Sequence, residues 1–279
     1  MCNLSGKVIL ITGSTAGLGR QLAHTLSEEG ALIIINGRSK EKLKQTQLAF
    51  QKMGIHVTAL QGDVTQPEDC HRIINACITK FRRLDILINN AGIGGNGLFI
   101  DTVPQASKKI IETNILGSVY PTFYALPHIK ETEGSIIFIS SLAGIFGIPY
   151  CAHYSTSKMA LTALSQSLRI ELLGTNVHVG TMYVGFLKND PNKKVVGCDG
   201  VLISTGMRPE NLTMTKEKAS NIIVKAIKKR KLKKVISILG QVLYVLNFLS
   251  PFIVRKILEM TMHKMRNIYI PGRINFQTQ

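Results

Sequence analysis

The first 29 residues combine a buried strand, a glycine-rich turn and a helix, and this order constrains the fold more than any other stretch. Residues 7–12 (KVILIT) form a largely apolar run that is typical of a buried strand. Glycines let a backbone approach a pyrophosphate, and a helix N-terminus offers it free N–H groups. Glycine is also common in turns that bind no ligand. The location of this glycine-rich turn, between a strand and a helix, is therefore what favours a dinucleotide site. Its candidate contacts are Gly13, Ser14, Thr15, Gly17, Leu18 and Gly19.

Apolar runs and amphipathic segments alternate along the rest of the chain. Further strands are predicted at residues 31–36, 55–60, 85–88, 136–139, 177–184 and 235–238. Helices are predicted at about residues 40–53, 67–82, 105–128, 154–173 and 214–229. This alternation indicates an α/β fold of the Rossmann type, a doubly wound sheet of about seven parallel strands with ligands at their carboxyl ends. Residues 1–239 would form this domain, with a substrate loop at about 186–214 and a hydrophobic, basic helical extension at 240–279.

The residues after the second and third strands bear on which dinucleotide would bind. A carboxylate after the second strand usually bonds the adenosine ribose and repels a 2′-phosphate. Positions 36–39 hold no acid, and Arg38 stands there beside Ser39. A guanidinium pairs strongly with phosphate, so NADP(H) is favoured over NAD(H). An ordinary surface role for Arg38 is the alternative. After the third strand, Asp63 is a candidate partner of the adenine amino group, and Val64 lies next to it.

Residues 135–158 carry the groups suited to acid–base chemistry. The strand ends at Ser140 and Ser141, and a loop leads to Tyr154 and Lys158 on a helix. Residues four apart share one face of a helix, so the Lys158 ammonium is expected beside the Tyr154 phenol. We expect this charge to lower the pKa of the phenol below its usual value of about 10. With a serine hydroxyl nearby, these groups can move a proton on and off a carbonyl or alcohol oxygen.

Two further features surround this stretch. Asn114 falls in the middle of a predicted helix, where asparagine is a poor choice on propensity. It either caps a bent turn or holds a water as a relay beside Lys158. A group of apolar and aromatic residues indicates an apolar substrate, although about half of them would simply belong to the core; they are Ile145, Phe146, Ile148, Tyr150, Tyr183 and Phe186.

Charge is unevenly distributed along the chain. The formal net charge is +17, and seven basic residues with no acid among them lie between positions 225 and 234. Such a cluster suits an anionic membrane, nucleic acid or a solvated helix end, but no aromatic platform for nucleic acid accompanies it. Residues 235–254 carry no charge. We expect two helices, at about 241–249 and 251–265, and peripheral membrane contact through residues 225–265. Helices that cover the substrate cleft or a partner subunit, or one that spans a membrane, are the alternatives.

The cysteines and the N-terminus bear on the compartment. The five cysteines are scattered, and none has the paired spacing of a zinc site, so we expect free thiols and no metal. The first strand begins near Val8, which leaves no room for a signal peptide. These features favour a cytoplasmic location, with or without attachment to a membrane surface.

Taken together, residues 5–187 resemble the short-chain dehydrogenase/reductase family. The motifs are Thr12-Gly13-xxx-Gly17-x-Gly19, Asp63, Asn89-Asn90-Ala91-Gly92, Asn114, Ser141 and Tyr154-xxx-Lys158. The resemblance implies a nicotinamide cofactor and a catalytic set of Asn114, Ser141, Tyr154 and Lys158, with Ser141 selected over Ser140 by its spacing to the tyrosine. It also implies that Tyr154 and Lys158 contact the cofactor, together with Asn90, Ala91, Gly92, Gly185, Leu187 and Asn189.

The chain departs from the family pattern at three positions. Val184 replaces a common proline after the sixth strand, and Asn189 stands where a threonine is common. Ala16 occupies a position that is often basic, so Arg38 carries most of the NADP(H) argument, with Arg20 as a second candidate. A narrower resemblance, to 3-ketodihydrosphingosine reductases and other lipid-active members, depends on residues 114–121 and the C-terminal extension.

The resemblance implies an NADPH-dependent oxidoreductase that interconverts a carbonyl and a secondary alcohol on an apolar lipid, long-chain keto or steroid-like substrate. An NAD-dependent alcohol dehydrogenase is one alternative. A catalytically silent dinucleotide-binding sensor or scaffold is another, although such a protein has no need of the serine, tyrosine and lysine set. We expect a homo-oligomer, in particular a dimer, and no nucleic-acid partner.

Overall fold

A computed structural model describes residues 2–188, 190 and 193–270. Within these residues the strands are, in chain order, β1 (Val8–Ile11), β2 (Leu32–Gly37), β3 (Val57–Gln61), β4 (Ile86–Asn89), β5 (Ser135–Ser141), β6 (His178–Val184), β7 (Lys194–Val196), β8 (Leu202–Ser204) and β9 (Lys233–Val235). The α-helices are α1 (Gly17–Glu28), α2 (Lys40–Lys52), α3 (Pro67–Phe81), α4 (Pro104–Ile111), α5 (Gly117–Glu131), α6 (Ala152–Glu171), α7 (Lys216–Lys228), α8 (Ile238–Leu249) and α9 (Pro251–Tyr269).

Seven of these strands form one parallel sheet in the order β3-β2-β1-β4-β5-β6-β9. Strand β1 pairs with β2 on one side and with β4 on the other, so the strand order reverses there. A reversal of this kind opens a crevice at the carboxyl ends of the strands, where ligands bind in doubly wound sheets. The predicted Rossmann-type fold is therefore confirmed.

Apolar side chains of the strands alternate between two cores, one on each face of the sheet. Ile9 and Ile11 of β1 pack in the core that includes α1, α2 and α7. Val8 and Leu10 of the same strand point the other way, into the core with α3, α5 and α6. Strands covered on both faces read as continuous apolar runs, which is why their positions were predictable.

Two predicted segments have a different local structure. The predicted helix over residues 105–128 is interrupted by a π-helical turn, Glu112–Leu116, between α4 and α5. The loop predicted at about 186–214 contains the antiparallel hairpin β7–β8, with Val195 paired to Ile203. Both strands of the hairpin are three residues long, too short to leave a clear periodic pattern.

The last sheet strand lies earlier than predicted. We expected a strand at residues 235–238, but β9 spans Lys233–Val235 and pairs with β6, with Thr181 opposite Lys233. The reason is local: the Ser237 hydroxyl accepts a hydrogen bond from the Gly240 backbone N–H, and this N-cap starts α8 at Ile238.

The C-terminal extension forms α8 and α9, as expected, although α9 continues to Tyr269. Gly240 is the buried residue of α8, while α9 buries Val254 and Tyr269 among its described side chains. Residues 271–279 of the predicted extension lie outside the described residues. Across the part of the chain that the structure covers, every helix is too short or too polar to cross a bilayer.

Candidate active site

The glycine-rich turn after β1 has the close packing that a dinucleotide site needs. Gly13 has φ +60°, and a Cβ atom there would lie 2.7 Å from the Ala91 Cα atom. A Cβ on Gly19 would collide with the Asn90 side chain. Helix α1 begins at Gly17 with no side-chain hydrogen bond at its N-cap, Ala16. Its first N–H groups are therefore not capped by that side chain, and the turn fits a pyrophosphate.

The loop after β4 is tied to this turn through Asn90 and Thr12. The Asn90 side-chain amide donates to the carbonyl oxygens of Thr12 and Gly13, both at 3.0 Å. The Thr12 hydroxyl in turn accepts from the backbone N–H groups of Asn90 and Ala91, also at 3.0 Å. These bonds use the Asn90 side chain for holding the two loops together. Whether Asn90, Ala91 and Gly92 also contact a cofactor stays a prediction.

The Ser14 side chain is hydrogen-bonded to the backbone of two strands, and its contact with a cofactor stays a prediction. This side chain is fully buried; the hydroxyl donates to the Ile11 carbonyl oxygen at 2.7 Å and accepts from the Asn36 backbone N–H at 2.9 Å. Asn36, which the sequence reasoning did not single out, donates from its amide to the carbonyl oxygens of Leu60 and Gly62. The sequence shows Asn36 only as a polar residue at the end of an otherwise apolar strand; its burial and its partners are set by the tertiary structure.

Arg38 and Asp63 lie together at the carboxyl ends of β2 and β3. The Arg38 guanidinium is 3.4 Å from an Asp63 carboxylate oxygen, and 62% of the Arg38 side chain is exposed. An exposed pair of this kind contributes little to stability, so the guanidinium can change partners at low cost. Ser39 caps α2 by accepting from the Lys42 backbone N–H. Thr15 packs against the Gly37 Cα, which keeps these loops adjacent.

Ser141, Tyr154 and Lys158 converge where β5 ends and α6 begins. The Ser141 hydroxyl lies close enough to the Tyr154 phenol for its hydrogen-bonding interaction to lower the pKa of the phenol. The Lys158 Nζ atom lies 5.9 Å from the centre of the Tyr154 ring and donates to the Ile139 carbonyl oxygen at 3.1 Å. The Ser140 hydroxyl instead bonds the Lys158 carbonyl oxygen at 3.1 Å. The geometry therefore brings Ser141, and not Ser140, to the phenol.

The pKa values of this group differ from the expectation. Burial raises the pKa of Tyr154, and the Ser141 hydrogen bond and the nearby Arg208 charge lower it by less. Burial also lowers the pKa of Lys158 to about 8, with the Lys193 charge acting in the same direction. The prediction that the ammonium would bring the phenol below its usual pKa is wrong for this structure, because burial disfavours the charged forms of both groups.

Asn114 lies in the π-helical turn and is fully buried. Its amide nitrogen donates to the Ile93 carbonyl oxygen and to the Ser157 hydroxyl, both at 2.9 Å, and its oxygen accepts from the Ile93 backbone N–H at 2.8 Å. A π-helical turn often marks a functional position in a helix. The Asn114 side chain thus fixes the loop after β4 next to Lys158. The structure contains the bent turn of the first alternative, and the water relay stays a prediction.

Three residues outside the predicted catalytic set pack together, and two of them, Arg208 and Tyr269, interact electrostatically with Tyr154. Arg208 lies over the Phe186 ring, 5.2 Å from its centre, and donates to the Leu187 carbonyl oxygen at 3.3 Å. Tyr269, at the end of α9, is buried with its ring centre 6.4 Å from that of Phe186. We call Phe186, Arg208 and Tyr269 the roof cluster. Only Phe186 was singled out from the sequence, because no local pattern indicates how a loop and a distant helix meet.

The remaining predicted contacts lie after β6. Gly185 packs against Ser237, and Leu187 forms a parallel bridge with Met214. Asn189 lies outside the described residues. Within the described ranges, no group of three or more histidine, cysteine or acidic side chains is arranged to hold a metal ion.

Comparison with known proteins agrees with this geometry. A family model described as short chain dehydrogenase matches residues 7–197. The chain belongs to the short-chain dehydrogenase/reductase family. Among its relatives are 11-beta-hydroxysteroid dehydrogenase 1A of Arabidopsis thaliana, 37% identical over 191 residues, and 11-beta-hydroxysteroid dehydrogenase-like 2 of the same plant, 34% identical over 206 residues. The first alignment covers 67% of this chain and 54% of the relative; the second covers 72% and 67%. The chain thus spans about half the length of the first relative.

Solved structures show the same fold. A short-chain dehydrogenase/reductase from Burkholderia phymatum, in complex with NAD, has a TM-score of 0.77 and 19% identity, with 98% of this chain and 100% of that chain covered. An alcohol dehydrogenase from Thermococcus sibiricus, complexed with 5-hydroxy-NADP, has a TM-score of 0.71 and 22% identity, with 83% and 96% covered. The narrower resemblance to 3-ketodihydrosphingosine reductases stays a prediction.

Proposed function

We propose that this chain is an oxidoreductase that prefers NADP(H) and interconverts a carbonyl and a secondary alcohol on an apolar substrate. The observation that carries the proposal is the convergence of Ser141, Tyr154 and Lys158 at the carboxyl edge of the sheet. Membership of the short-chain dehydrogenase/reductase family supports the same reaction class.

The cofactor-binding residues would come from the loops around the strand reversal. The turn at Gly13–Gly19 would hold the pyrophosphate, because its close packing and its uncapped helix N-terminus fit an anion. Arg38 would leave Asp63 to bind a 2′-phosphate, to which a guanidinium can make two parallel hydrogen bonds. Asp63 and Val64 would lie near the adenine. When bound, the nicotinamide supplies or accepts the hydride.

Tyr154 would act as the general acid in the reductive direction. Its raised pKa keeps the phenol protonated through neutral pH, so a proton is available for the oxygen of the reduced carbonyl. A positioned general acid typically contributes about 10²–10⁴-fold to a rate. Ser141 would donate to the same oxygen and orient it. Lys158 would bind the nicotinamide ribose, and Asn114 would hold a water that restores the proton.

The substrate side of the site favours an apolar molecule. Tyr269 of the roof cluster interacts with Tyr154, and its aromatic ring packs 6.4 Å from that of Phe186, measured between ring centres. Phe146 and Tyr183, which the sequence also indicated, are buried and belong largely to the core. The relatives named hydroxysteroid dehydrogenases suggest a steroid-like or lipid ketone as the first class to try.

A substrate panel tests the proposal. The purified chain is mixed with NADPH or NADH and with steroid ketones, long-chain aliphatic ketones or short polar ketones, and cofactor oxidation is followed by absorbance. We expect NADPH oxidation with an apolar ketone to exceed that with a polar one. If the chain binds NADPH but turns over none of these ketones, nor the matching alcohols with NADP⁺, the alternative of a silent dinucleotide-binding sensor is favoured. Assembly into a homo-oligomer and a cytoplasmic location stay predictions.

A further inference from the structure

Helix α8 exposes large apolar side chains along one stripe. Four residues at helical spacing are solvent-accessible: Ile238 (79%), Val242 (50%), Val245 (52%) and Leu249 (72%). Phe248 (82%) and, after the break at Ser250, Phe252 (58%) extend the apolar surface to the start of α9. Monomeric soluble proteins seldom leave an apolar patch of this kind without a partner. We call α8 with the first two turns of α9 the α8–α9 surface.

Basic side chains border this surface. Acids are absent between Glu217 and Glu259, and Glu259 itself pairs with Arg255 at 3.3 Å and with Lys256 at 2.8 Å. The stretch between the two glutamates holds ten lysines and arginines. The cations of Arg255 and Lys256 lie 5.2 Å and 5.8 Å from the centre of the Phe252 ring, and the Lys233 ammonium lies 5.0 Å from that of Tyr244. Apolar side chains flanked by cations are typical of helices that lie in the plane of a membrane interface.

We propose that the α8–α9 surface is a docking surface for an anionic phospholipid bilayer. The apolar stripe of α8 would enter the boundary between headgroups and acyl chains, while the lysines and arginines at both ends of α8 bind lipid phosphates. Charge decides between this partner and a second copy of the chain. Two such surfaces brought face to face would oppose many cations with no acid from either stretch, and like charges disfavour that contact.

The α8–α9 surface is connected to the candidate active site by α9 itself. The helix starts at Pro251 in the docking surface and ends at Tyr269 in the roof cluster. Backbone contacts support this connection, since a Cβ on Gly206 would lie 2.7 Å from the Asn267 carbonyl oxygen. Docking would therefore hold the roof cluster close to the bilayer. An apolar substrate dissolved in the bilayer could then enter the cleft from that side. This last consequence rests on the proposed function, whereas binding to lipid does not.

Flotation of the full chain with vesicles tests the docking surface. We expect at least about tenfold stronger binding to vesicles in which phosphatidylglycerol is about a third of the lipid than to pure phosphatidylcholine, and weaker binding as salt is added. Binding that is equal for the two lipid compositions overturns the charge argument.

Two pairs of variants test whether the α8–α9 surface binds the vesicles, each pair comparing a substitution in this surface with the same substitution elsewhere. Leu249→Gln removes an apolar side chain from the stripe. Leu173→Gln makes the same change at a leucine with 73% exposure, two residues after the end of α6. We expect the first to weaken binding to the anionic vesicles by about three- to tenfold and the second to leave it unchanged. Lys256→Gln should weaken binding by a few-fold, and Lys130→Gln, an exposed lysine of α5, should not.

Equal flotation of Leu249→Gln and the unchanged chain would overturn the proposal, as would an equal loss in Leu173→Gln. Sedimentation without lipid addresses a second copy as the occupant. If Leu249→Gln converts an oligomer to a monomer and leaves vesicle binding intact, the α8–α9 surface is an interface between chains. Because flotation needs no substrate, failure of the enzymatic proposal would leave these outcomes readable.

Discussion

The sheet with its loops buries polar side chains, whereas the α8–α9 surface exposes apolar ones. Around the sheet, polar side chains such as Thr12, Asn36 and Asn114 are buried, and each has hydrogen-bond partners on neighbouring loops. In α8 and early α9, apolar side chains such as Phe248 and Leu249 face solvent. Paired buried polar groups fix one geometry, whereas exposed apolar groups gain stability only when another surface covers them.

This difference separates a preorganised site from an adaptable surface. The cofactor loops are held by bonds of 2.7–3.4 Å that involve no ligand, such as those of Ser14. The α8–α9 surface has few buried residues to fix its position. The roof cluster lies where the two regions meet, since Phe186 follows β6 and Tyr269 ends α9. Four predictions test this division, taken in order of expected effect.

The largest effect is expected from Tyr154→Phe in the preorganised region. Loss of the phenol hydroxyl removes the proposed general acid, so kcat for ketone reduction should fall by at least about 10²–10⁴-fold. NADPH binding, measured by fluorescence titration, should be largely retained, because the loops at Gly13 and Asn90 are held without the hydroxyl. Tyr124→Phe, which removes a hydroxyl from α5 on the side that faces His71, is the matched control and should stay active. Undiminished turnover in Tyr154→Phe would exclude the phenol as the acid.

The second prediction concerns Arg38 at the edge of the same region. Arg38→Asp should lower the ratio of kcat/KM with NADPH to that with NADH by about ten- to a hundredfold, because a carboxylate repels the 2′-phosphate and bonds the ribose. Arg72→Asp is a matched control: Arg72 is 59% exposed and pairs with Asp69, much as Arg38 pairs with Asp63. A preference that responds equally to both changes, or to neither, would remove Arg38 from cofactor selection.

The same division explains which features the sequence could predict. The turn at Gly13–Gly19 and the four-residue spacing of Tyr154 and Lys158 are local, so their patterns indicate their structure directly. The partners of Asn36 lie more than twenty positions along the chain, and the roof cluster combines residues from three separate segments. The Tyr154 pKa was wrongly predicted because it depends on the degree of burial, which only the tertiary structure sets.

The third prediction concerns Arg208, which reaches from the substrate loop toward Tyr154. The Arg208 charge lowers the pKa of Tyr154, so Arg208→Gln should raise that pKa further. Reduction requires the protonated phenol, and the alkaline limb of the kcat/KM profile should therefore move to higher pH. Lys216→Gln is the control, because the Lys216 ammonium is already paired with Asp190 at 2.6 Å. If the limb stays in place while KM rises, Arg208 positions the substrate but does not tune the phenol.

The smallest expected effect compares two helix caps. Ser39 caps α2 and Ser237 caps α8, each by accepting one backbone N–H, at 3.2 Å and 3.1 Å. Ser39→Ala should lower the free energy of unfolding in urea by about 1 kcal/mol, because Leu43 and Phe50 join α2 to the core and couple the helix to global unfolding. Ser237→Ala should instead accelerate hydrogen exchange in α8 and hardly change the urea midpoint, since α8 buries Gly240 alone among its described residues.

The N-cap of α7 extends the comparison to a second helix that packs in the core. Thr215 accepts the Lys218 backbone N–H at 3.1 Å and caps α7, whose Ile223 and Ile227 lie in the same core as α2. Thr215→Ala should therefore behave like Ser39→Ala and shift the urea midpoint. If Ser237→Ala shifted it equally, α8 would unfold together with the sheet, and the two regions would form one cooperative unit. If only the exchange rates of α8 respond, the helix opens locally, as a surface that adapts to a partner requires.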